Sequence, residues 1–315
     1  MCAIFGVLDY KGKLSAAQRL HMVRVLGTAA EIRGTDATGI AFFQRNRLCI
    51  QKAPKAAHKM KYRIPTEVRY IMGHTRMTTQ GNPKRNQNNH PFPGKAGDRS
   101  FALAHNGVLT NDRELRRSYN LPRTSIETDS YVAVQLIEQE REVSSNSIGK
   151  MAERLEGHFT FTILDQQNNL YFVKGNNPLT IFHFKKLGLY LYASTEEILI
   201  LTLDALGMED WKYQVIQPHQ GEILKIDCQG KRSTTTFKTD KLGCLWPSLW
   251  RRTIDVRSCG LDQSAEQDEY IQNLKAVAAF YGYDDSCVDR LLARGFSMDD
   301  IEDFIYCQSN LFCED

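Results

Sequence analysis

Four short segments of this chain carry side chains that could act on an amide. The first is Met1-Cys2. A small second residue lets an aminopeptidase remove Met1, so Cys2 is expected to bear both a thiol and a free α-amine. An α-amine titrates near ~8 and can accept the thiol proton, so one residue would supply nucleophile and base. An incidental or buried cysteine is the plain alternative. The second segment is Gly73-His74-Thr75-Arg76-Met77-Thr78-Thr79-Gln80-Gly81. An arginine at the end of a strand, followed by a threonine-rich loop, suits two-pronged capture of a carboxylate, or is a surface arginine near a turn. The third is Ala104-His105-Asn106-Gly107-Val108. Asn-Gly is often a hairpin turn. With apolar residues on both sides it could instead present a side-chain amide and a backbone N–H together, the two donors of an oxyanion hole. The fourth is Glu127-Thr128-Asp129, expected at a helix start. Asp129 there is either a favourable cap-region charge or, in a pocket, a partner for an ammonium group.

Positioning these groups requires strands and helices, and the apolar pattern supplies both. Residues 2–10 read as a strand beginning at the nucleophile candidate. Residues 15–33 carry helix-spaced Leu20, Val23, Leu26 and Ala30, and Gly34 can end that helix. Residues 39–53 read as a hairpin turning at Arg45–Arg47. Residues 70–77 and 101–109 read as strands joined by a long polar stretch, a length of connection that is often functional. Helices are expected over 126–142 and 146–155. Paired strands follow in 159–175 and 180–194, then a helix over 195–206 and strands over 213–227 and 232–238. Hairpin clusters separated by helices predict layered α+β packing rather than a parallel sheet.

The chain has 315 residues, 42% hydrophobic and 24% charged, an ordinary globular composition. No stretch approaches the ~18 apolar residues of a membrane span, and no basic segment followed by an apolar one marks a secretory leader. A cytoplasmic location is expected. The 8 cysteines are scattered with no C-x-x-C pair, which suggests neither a disulfide framework nor a zinc site. No metal and no cofactor are expected. The net charge of +3 is unevenly placed. Residues 1–120 hold 21 Lys/Arg against 7 Asp/Glu, and residues 261–315 hold 3 against 13. Either these are two solvated surfaces, or the acidic tail docks on a basic surface of this chain or of a partner.

Composition shifts near residue 240. The expected domains are 1–239, a linker over 240–265 containing Trp246, Pro247 and Trp250, and a small acidic module over 266–315. That module reads as three helices: one through Tyr270–Ala278, one through Cys287–Leu292, and one through Phe296–Ile305. Ser297 with Asp300 resembles a capping box for the last. The pattern loosely resembles a ubiquitin-associated-type bundle.

In order and spacing, the four chemistry-bearing segments resemble the glutaminase domain of the class II glutamine amidotransferases, an N-terminal-nucleophile hydrolase family. Glucosamine-phosphate synthase and the amidotransferase of purine biosynthesis belong to it. The likeness extends over residues 2–230. Arg33-Gly34-Thr35-Asp36-Ala37-Thr38-Gly39 resembles the family's Arg-Gly-x-Asp-x-x-Gly, and Asn89-His90-Pro91 falls where the family has a similar tripeptide. Lys174-Gly175-Asn176-Asn177-Pro178-Leu179, Ala193-Ser194 and Gly221-Glu222-Ile223 match later core strands. The resemblance implies a four-layer α/β/β/α sandwich. It implies Cys2 as nucleophile with its α-amine as base, and Asn106 and Gly107 as the oxyanion hole. It implies Arg76, helped by Thr79, on the glutamine α-carboxylate, Asp129 on the α-ammonium, and Arg33 as a support near the nucleophile. Met77 and Gln80 depart from the family pattern, which commonly has an aromatic and often a histidine there. The implied activity is hydrolysis of L-glutamine through a Cys2 thioester. Ammonia would pass to an acceptor on a separate synthetase, because residues 240–315 carry no glycine-rich phosphate loop or nucleotide motif. Two other readings stay open: an amidohydrolase for another γ-glutamyl or amide substrate, and a non-catalytic domain that binds glutamine or a partner. Nucleic acid is not among the expected ligands.

Overall fold

The computed structural model describes residues 2–242 and, beyond them, 271, 272, 274, 275, 278, 284, 286–294 and 301. The chain divides into two compact units, Met1–Gly243 and Cys244–Asp315.

The first unit is built on two antiparallel sheets. One holds β1 (Ala3–Asp9), β2 (Ala37–Gln44), β3 (Arg47–Ala53), β4 (Tyr70–Arg76), β9 (Thr180–Phe184), β10 (Leu189–Ala193) and β11 (Gln214–Ile216). Their spatial order is β11-β9-β10-β1-β4-β2-β3. The other holds β5 (Phe92–Ala96), β6 (Arg99–Leu109), β7 (Gly157–Asp165), β8 (Leu170–Lys174), β12 (Glu222–Ile226) and β13 (Arg232–Thr236), in the order β13-β12-β8-β7-β6-β5.

Strand periodicity assigns each residue to a layer, because successive side chains leave opposite faces of a sheet. In β1, Ala3, Phe5 and Val7 join a cluster with Met22, Val23 and Leu26 of helix α1 (Ala16–Ala29), and with Ile198, Leu199 and Leu203 of helix α5 (Glu196–Ala205). Ile4 and Leu8 face the other way, into a cluster with Ala102, Ala104, Leu164, Phe172 and Tyr192 that lies between the sheets. Phe101, Leu103, Phe159 and Phe161 leave the second sheet on its far side. They pack under Leu115 of α2 (Asp112–Ser118), Val134 and Ile137 of α3 (Tyr131–Gln139), and Ile148 and Met151 of α4 (Ser145–Arg154). Three separate apolar layers make an α/β/β/α sandwich, the architecture expected. Central strands are therefore buried on both faces, which explains why β1 reads as an almost continuous apolar run and why even His74, Thr75 and Arg76 of β4 are buried.

Local chemistry sets the element ends. Ser15 and Gln18 form a capping box that starts α1. Arg45 and Asn46 both take positive φ, the conformation a two-residue hairpin loop needs between β2 and β3.

Some sequence expectations change. The helix expected over 126–142 begins only at Tyr131. The backbone before it is held by side chains from distant segments: Asn88 Oδ1 accepts from Glu127 N at 3.0 Å, and Gln80 Oε1 from Asp129 N at 2.9 Å. Asp129 thus lies in the turn ahead of α3. The polar stretch after β4 contains the unexpected strand β5, and α2 was not foreseen. The strand expected over 213–227 is two strands in different sheets, β11 and β12. Asn106-Gly107 is not a hairpin turn: both residues lie inside β6, paired with Thr160 and Phe159.

In the second unit, α6 (Ser286–Ala293) coincides with the expected middle helix. Leu274, Ala278, Val288 and Ile301 are buried together there. Met1, Trp246, Pro247, Trp250, the Ser297–Asp300 cap and most of the third expected helix lie outside the described residues. Among the described residues no helix is long and apolar enough to cross a membrane.

Candidate active site

β1 sits between β10 and β4, and that placement assembles the site. Ala3 pairs with Thr75 of β4, so Cys2 comes beside Arg76, the last residue of that strand. The Cys2 thiol donates to the Met77 carbonyl at 3.3 Å, and Arg33 Nε donates to the Cys2 carbonyl oxygen at 2.9 Å. Arg33 ends the 3₁₀ turn that follows α1. Gly34 then lets the chain press on β4: a Cβ there would lie 2.4 Å from the Arg76 carbonyl carbon. Burial is the dominant influence on the Cys2 thiol and pushes it up. The positive amino terminus, Arg76 and Arg33 oppose that shift.

Arg76 is 3% exposed, and its guanidinium is held by neighbouring acceptors. It donates to Asn89 Oδ1 at 2.7 Å, to Gly81 O at 3.0 Å and, at shorter range, to Gln80 O. All three acceptors are neutral, and among the described residues no carboxylate forms an ion pair with it. Asn89 is itself fixed through Nδ2 to Pro83 O at 2.8 Å. Asp36 accepts from Thr78 N at 2.7 Å and ties down the start of the following loop. Thr79 is exposed in that loop.

Asp129 is 5% exposed. Its Oδ2 accepts from Leu109 N at 2.6 Å and its Oδ1 from the Ser130 hydroxyl at 3.2 Å. No Lys, Arg or His of the described residues pairs with it. Burial raises its pKa, while the Leu109 and Ser130 donors and the charge of Arg76 work against that. Gln80 links the two charged groups, since its carbonyl takes Arg76 and its side chain takes the Asp129 N–H.

Asn106 reaches toward β1 from the second sheet. Its Nδ2 donates to Ser194 Oγ at 3.3 Å, and Ser194 Oγ accepts from Ile4 N at 2.9 Å. Asn177 Nδ2 donates to the Asn106 carbonyl at 2.9 Å. Gly107 has φ +144, and a Cβ there would lie 1.9 Å from the His158 carbonyl oxygen. Only glycine fits that position.

The structure therefore sets Arg33 and Arg76 beside Cys2, links Asp129 to Arg76 through Gln80, ties Asn106 to β1 through Ser194, and leaves Thr79 exposed. The residue-by-residue reading overlooked Ser194, Asn177, Ser130 and the orienting part of Asn89. Ala193-Ser194 and Asn176-Asn177 stood out only as family-like strings, and nothing in their spacing pointed to Asn106. A cavity of about 680 Å³ lies elsewhere, lined by Lys52, Lys55, Lys59, Lys61, Asn86 and Gln87 among others, and none of the candidate site residues lines it. No cluster of His, Cys, Asp or Glu suited to a metal occurs among the described residues.

Residues 74–201 match the family model described as a glutamine amidotransferase domain. The isomerizing glutamine–fructose-6-phosphate aminotransferase of Staphylococcus epidermidis is 29% identical over 247 residues, covering 76% of this chain and 37% of that protein. Its counterpart from Sulfurisphaera tokodaii is 28% identical over 243 residues, covering 72% and 40%. The chain thus spans about two fifths of the length of these curated relatives. Among solved structures, the glutamine phosphoribosylpyrophosphate amidotransferase from B. subtilis, complexed with ADP and GMP, superposes with a TM-score of 0.57 at 20% identity. The match covers 88% of this chain and 58% of that one, and it is a likeness of fold.

Proposed function

Because the chain belongs to the class II, N-terminal-nucleophile glutamine amidotransferases, we propose that it hydrolyses L-glutamine through a thioester on Cys2. The observation that carries this reading is a pair of buried, oppositely charged side chains without ion-pair partners among the described residues. A buried charge is costly unless it is paired. Arg76, beside Cys2, needs an anion, and Asp129, whose charge acts on Arg76, needs a cation. A free α-amino acid supplies both at once, which favours glutamine over an amide lacking one of those charges.

In the proposed reaction, removal of Met1 frees the Cys2 α-amine, which accepts the thiol proton. Sγ then attacks the side-chain amide carbon. The oxyanion is held by the Asn106 amide and the Gly107 N–H. The C–N bond breaks as the proton passes to the leaving nitrogen, and ammonia departs. Water attacks the thioester, glutamate leaves, and the thiol is restored. Arg33 fixes the Cys2 backbone through its carbonyl during these steps. A half-buried thiol whose pKa is raised by desolvation needs such a base, because little thiolate forms unaided.

The ammonia is proposed to reach an acceptor held by a separate protein, with residues 240–315 as the docking module. The excess of acidic residues in 261–315, 13 against 3 basic, supports an electrostatic contribution to that docking. The test of the hydrolytic reading is ammonia release from glutamine by the purified protein and by Arg76→Ala and Asp129→Asn. Loss of saturation by glutamine in both variants is expected. Unchanged KM in both would reject it.

A further inference from the structure

Ser130 stands between Asp129 and a histidine that the proposed reaction does not use. The Ser130 hydroxyl lies 3.2 Å from Asp129 Oδ1, and His105 Nδ1 lies 2.8 Å from that same hydroxyl oxygen. All three side chains are buried. An ionised carboxylate can only accept hydrogen bonds, so the single hydroxyl proton is committed to Asp129. The serine oxygen is then left as an acceptor for the Nδ1–H tautomer of His105, whose ring also interacts with the His158 backbone. Burial keeps this imidazole neutral, with its pKa lowered to about 3. In that arrangement an ionised Asp129 sets the direction of the Ser130 proton, and through it the hydrogen bond to His105.

The row is rigid at its far end. The His105 ring stacks on Phe161, centroids 4.4 Å apart and planes 20° apart, and the His105 carbonyl accepts from His74 Nε2 at 2.9 Å. At its near end the second carboxylate oxygen is fixed by Leu109 N. Each oxygen of Asp129 thus has one assigned donor and retains lone-pair capacity for a third. Ser130 donation also favours the ionised carboxylate against the burial that opposes it.

We propose that His105 and Ser130 form a positioning relay that aims the Asp129 carboxylate and so sets selectivity for substrates bearing an α-ammonium group. The relay rests on the reading of Asp129 given above. His105 and Ser130 are positioning residues: they act through Asp129 and touch neither the amide nor Cys2.

Selectivity is read as the ratio of kcat/KM for glutamine to that for 4-carbamoylbutanoate, which keeps the amide and carboxylate but lacks the amine. Where the second compound turns over too slowly, its inhibition constant replaces the rate. Wild-type protein should favour glutamine strongly. Ser130→Ala should lower the ratio ~10-fold or more, the scale of a hydrogen bond to a charged group, and leave handling of the deamino amide unchanged. Ser130→Thr, which keeps the hydroxyl, should retain the ratio. His105→Gln should lower it less, because the serine proton can still reach Asp129. A Ser130→Ala variant that slows both compounds equally, or keeps the wild-type ratio, overturns the relay. If Ser130→Ala does not fold, His105→Gln against Ser130→Thr decides on the same terms. Asp129→Asn separates the two levels: if it keeps the wild-type ratio, the assignment of Asp129 itself fails. If it abolishes the ratio while Ser130→Ala does not, only the relay fails.

Discussion

Arg33 holds Cys2 by its backbone: Nε donates to the Cys2 carbonyl oxygen at 2.9 Å, while the thiol points to the Met77 carbonyl. Cys2 stands immediately before β1, and this contact ties its backbone down from a neighbouring element. Arg33→Ala should therefore reduce kcat/KM for glutamine by ~10- to 150-fold, the range for losing a charge-assisted hydrogen bond. Most of the loss should fall on kcat, since Arg33 is not proposed to touch the substrate's charges. Steady-state kinetics in which only KM changes would contradict this placement.

The charged and neutral parts of the site should separate kinetically. Arg76→Ala and Asp129→Asn should each raise KM for glutamine by roughly 10- to 150-fold. Asn106→Ala should instead lower kcat by about 100-fold or more with little effect on KM, because an oxyanion donor acts mainly in the transition state. An Asn106→Ala variant altered only in KM would remove Asn106 from that role.

Two glycines provide a matched test of backbone geometry. Gly107 has φ +144, and an added Cβ would lie 1.9 Å from the His158 carbonyl oxygen, whereas Gly207 has φ +61 and nothing within 4 Å. Gly207→Ala should cost only the ~1–2 kcal/mol of a left-handed non-glycine residue. Gly107→Ala should cost more and abolish turnover, because β6 must shift away from β7 where the oxyanion donors lie. Chemical denaturation with activity assays on both variants checks this. Equal stabilities would count against it.

The buried histidines predict an acid-sensitive fold. Burial lowers the pKa of His74 and His105 to about 3, and that of His90 well below its usual value. In the unfolded chain they titrate near ~6.5. Between these limits the unfolded state binds more protons, so their contribution to stability is present above ~6.5 and is lost as pH falls toward about 3. The slope is at most ~1.4 kcal/mol per pH unit for each histidine. Asp129, raised by burial, acts in the opposite sense above the ordinary carboxylate range. The urea midpoint should therefore fall between pH 7 and pH 5. His90→Phe, which replaces a ring packed between His74 and Phe92, should flatten that dependence. A midpoint independent of pH over this interval would contradict the buried, neutral assignment.

Much of this was legible in the sequence, for identifiable reasons. Strand β1 is a long apolar run, and the turns at Arg45–Asn46 and Lys185–Gly188 carry local chemistry of their own. The layers followed because hairpins and helices alternate in blocks. What was not legible depends on contacts between distant residues. Residues 126–130 have helix-compatible composition, yet Asn88 and Gln80 capture their backbone from more than 35 positions away. The partners of Asn106 are Ser194 and Asn177, 88 and 71 residues distant. No local pattern can announce such pairings. Strand β5 hid in a polar stretch because its Phe92–Ala96 alternation is only five residues long.

The docking proposal makes a separable prediction. A chain ending at Gly243 should remain folded and hydrolyse glutamine at the basal rate, yet lose its acceptor protein in a pull-down. A truncated chain that still captures that protein would end the docking proposal and leave the hydrolytic one untouched.

The central claim is that Cys2 carries the γ-glutamyl group, and trapping that group tests it most directly. Protein incubated with glutamine and hydroxylamine should form γ-glutamyl hydroxamate, since hydroxylamine can replace water at the thioester. The intact mass of the active preparation should lack Met1, and Cys2→Ala should give neither hydroxamate nor ammonia. Turnover by Cys2→Ala, or an active preparation that quantitatively retains Met1, would contradict the account.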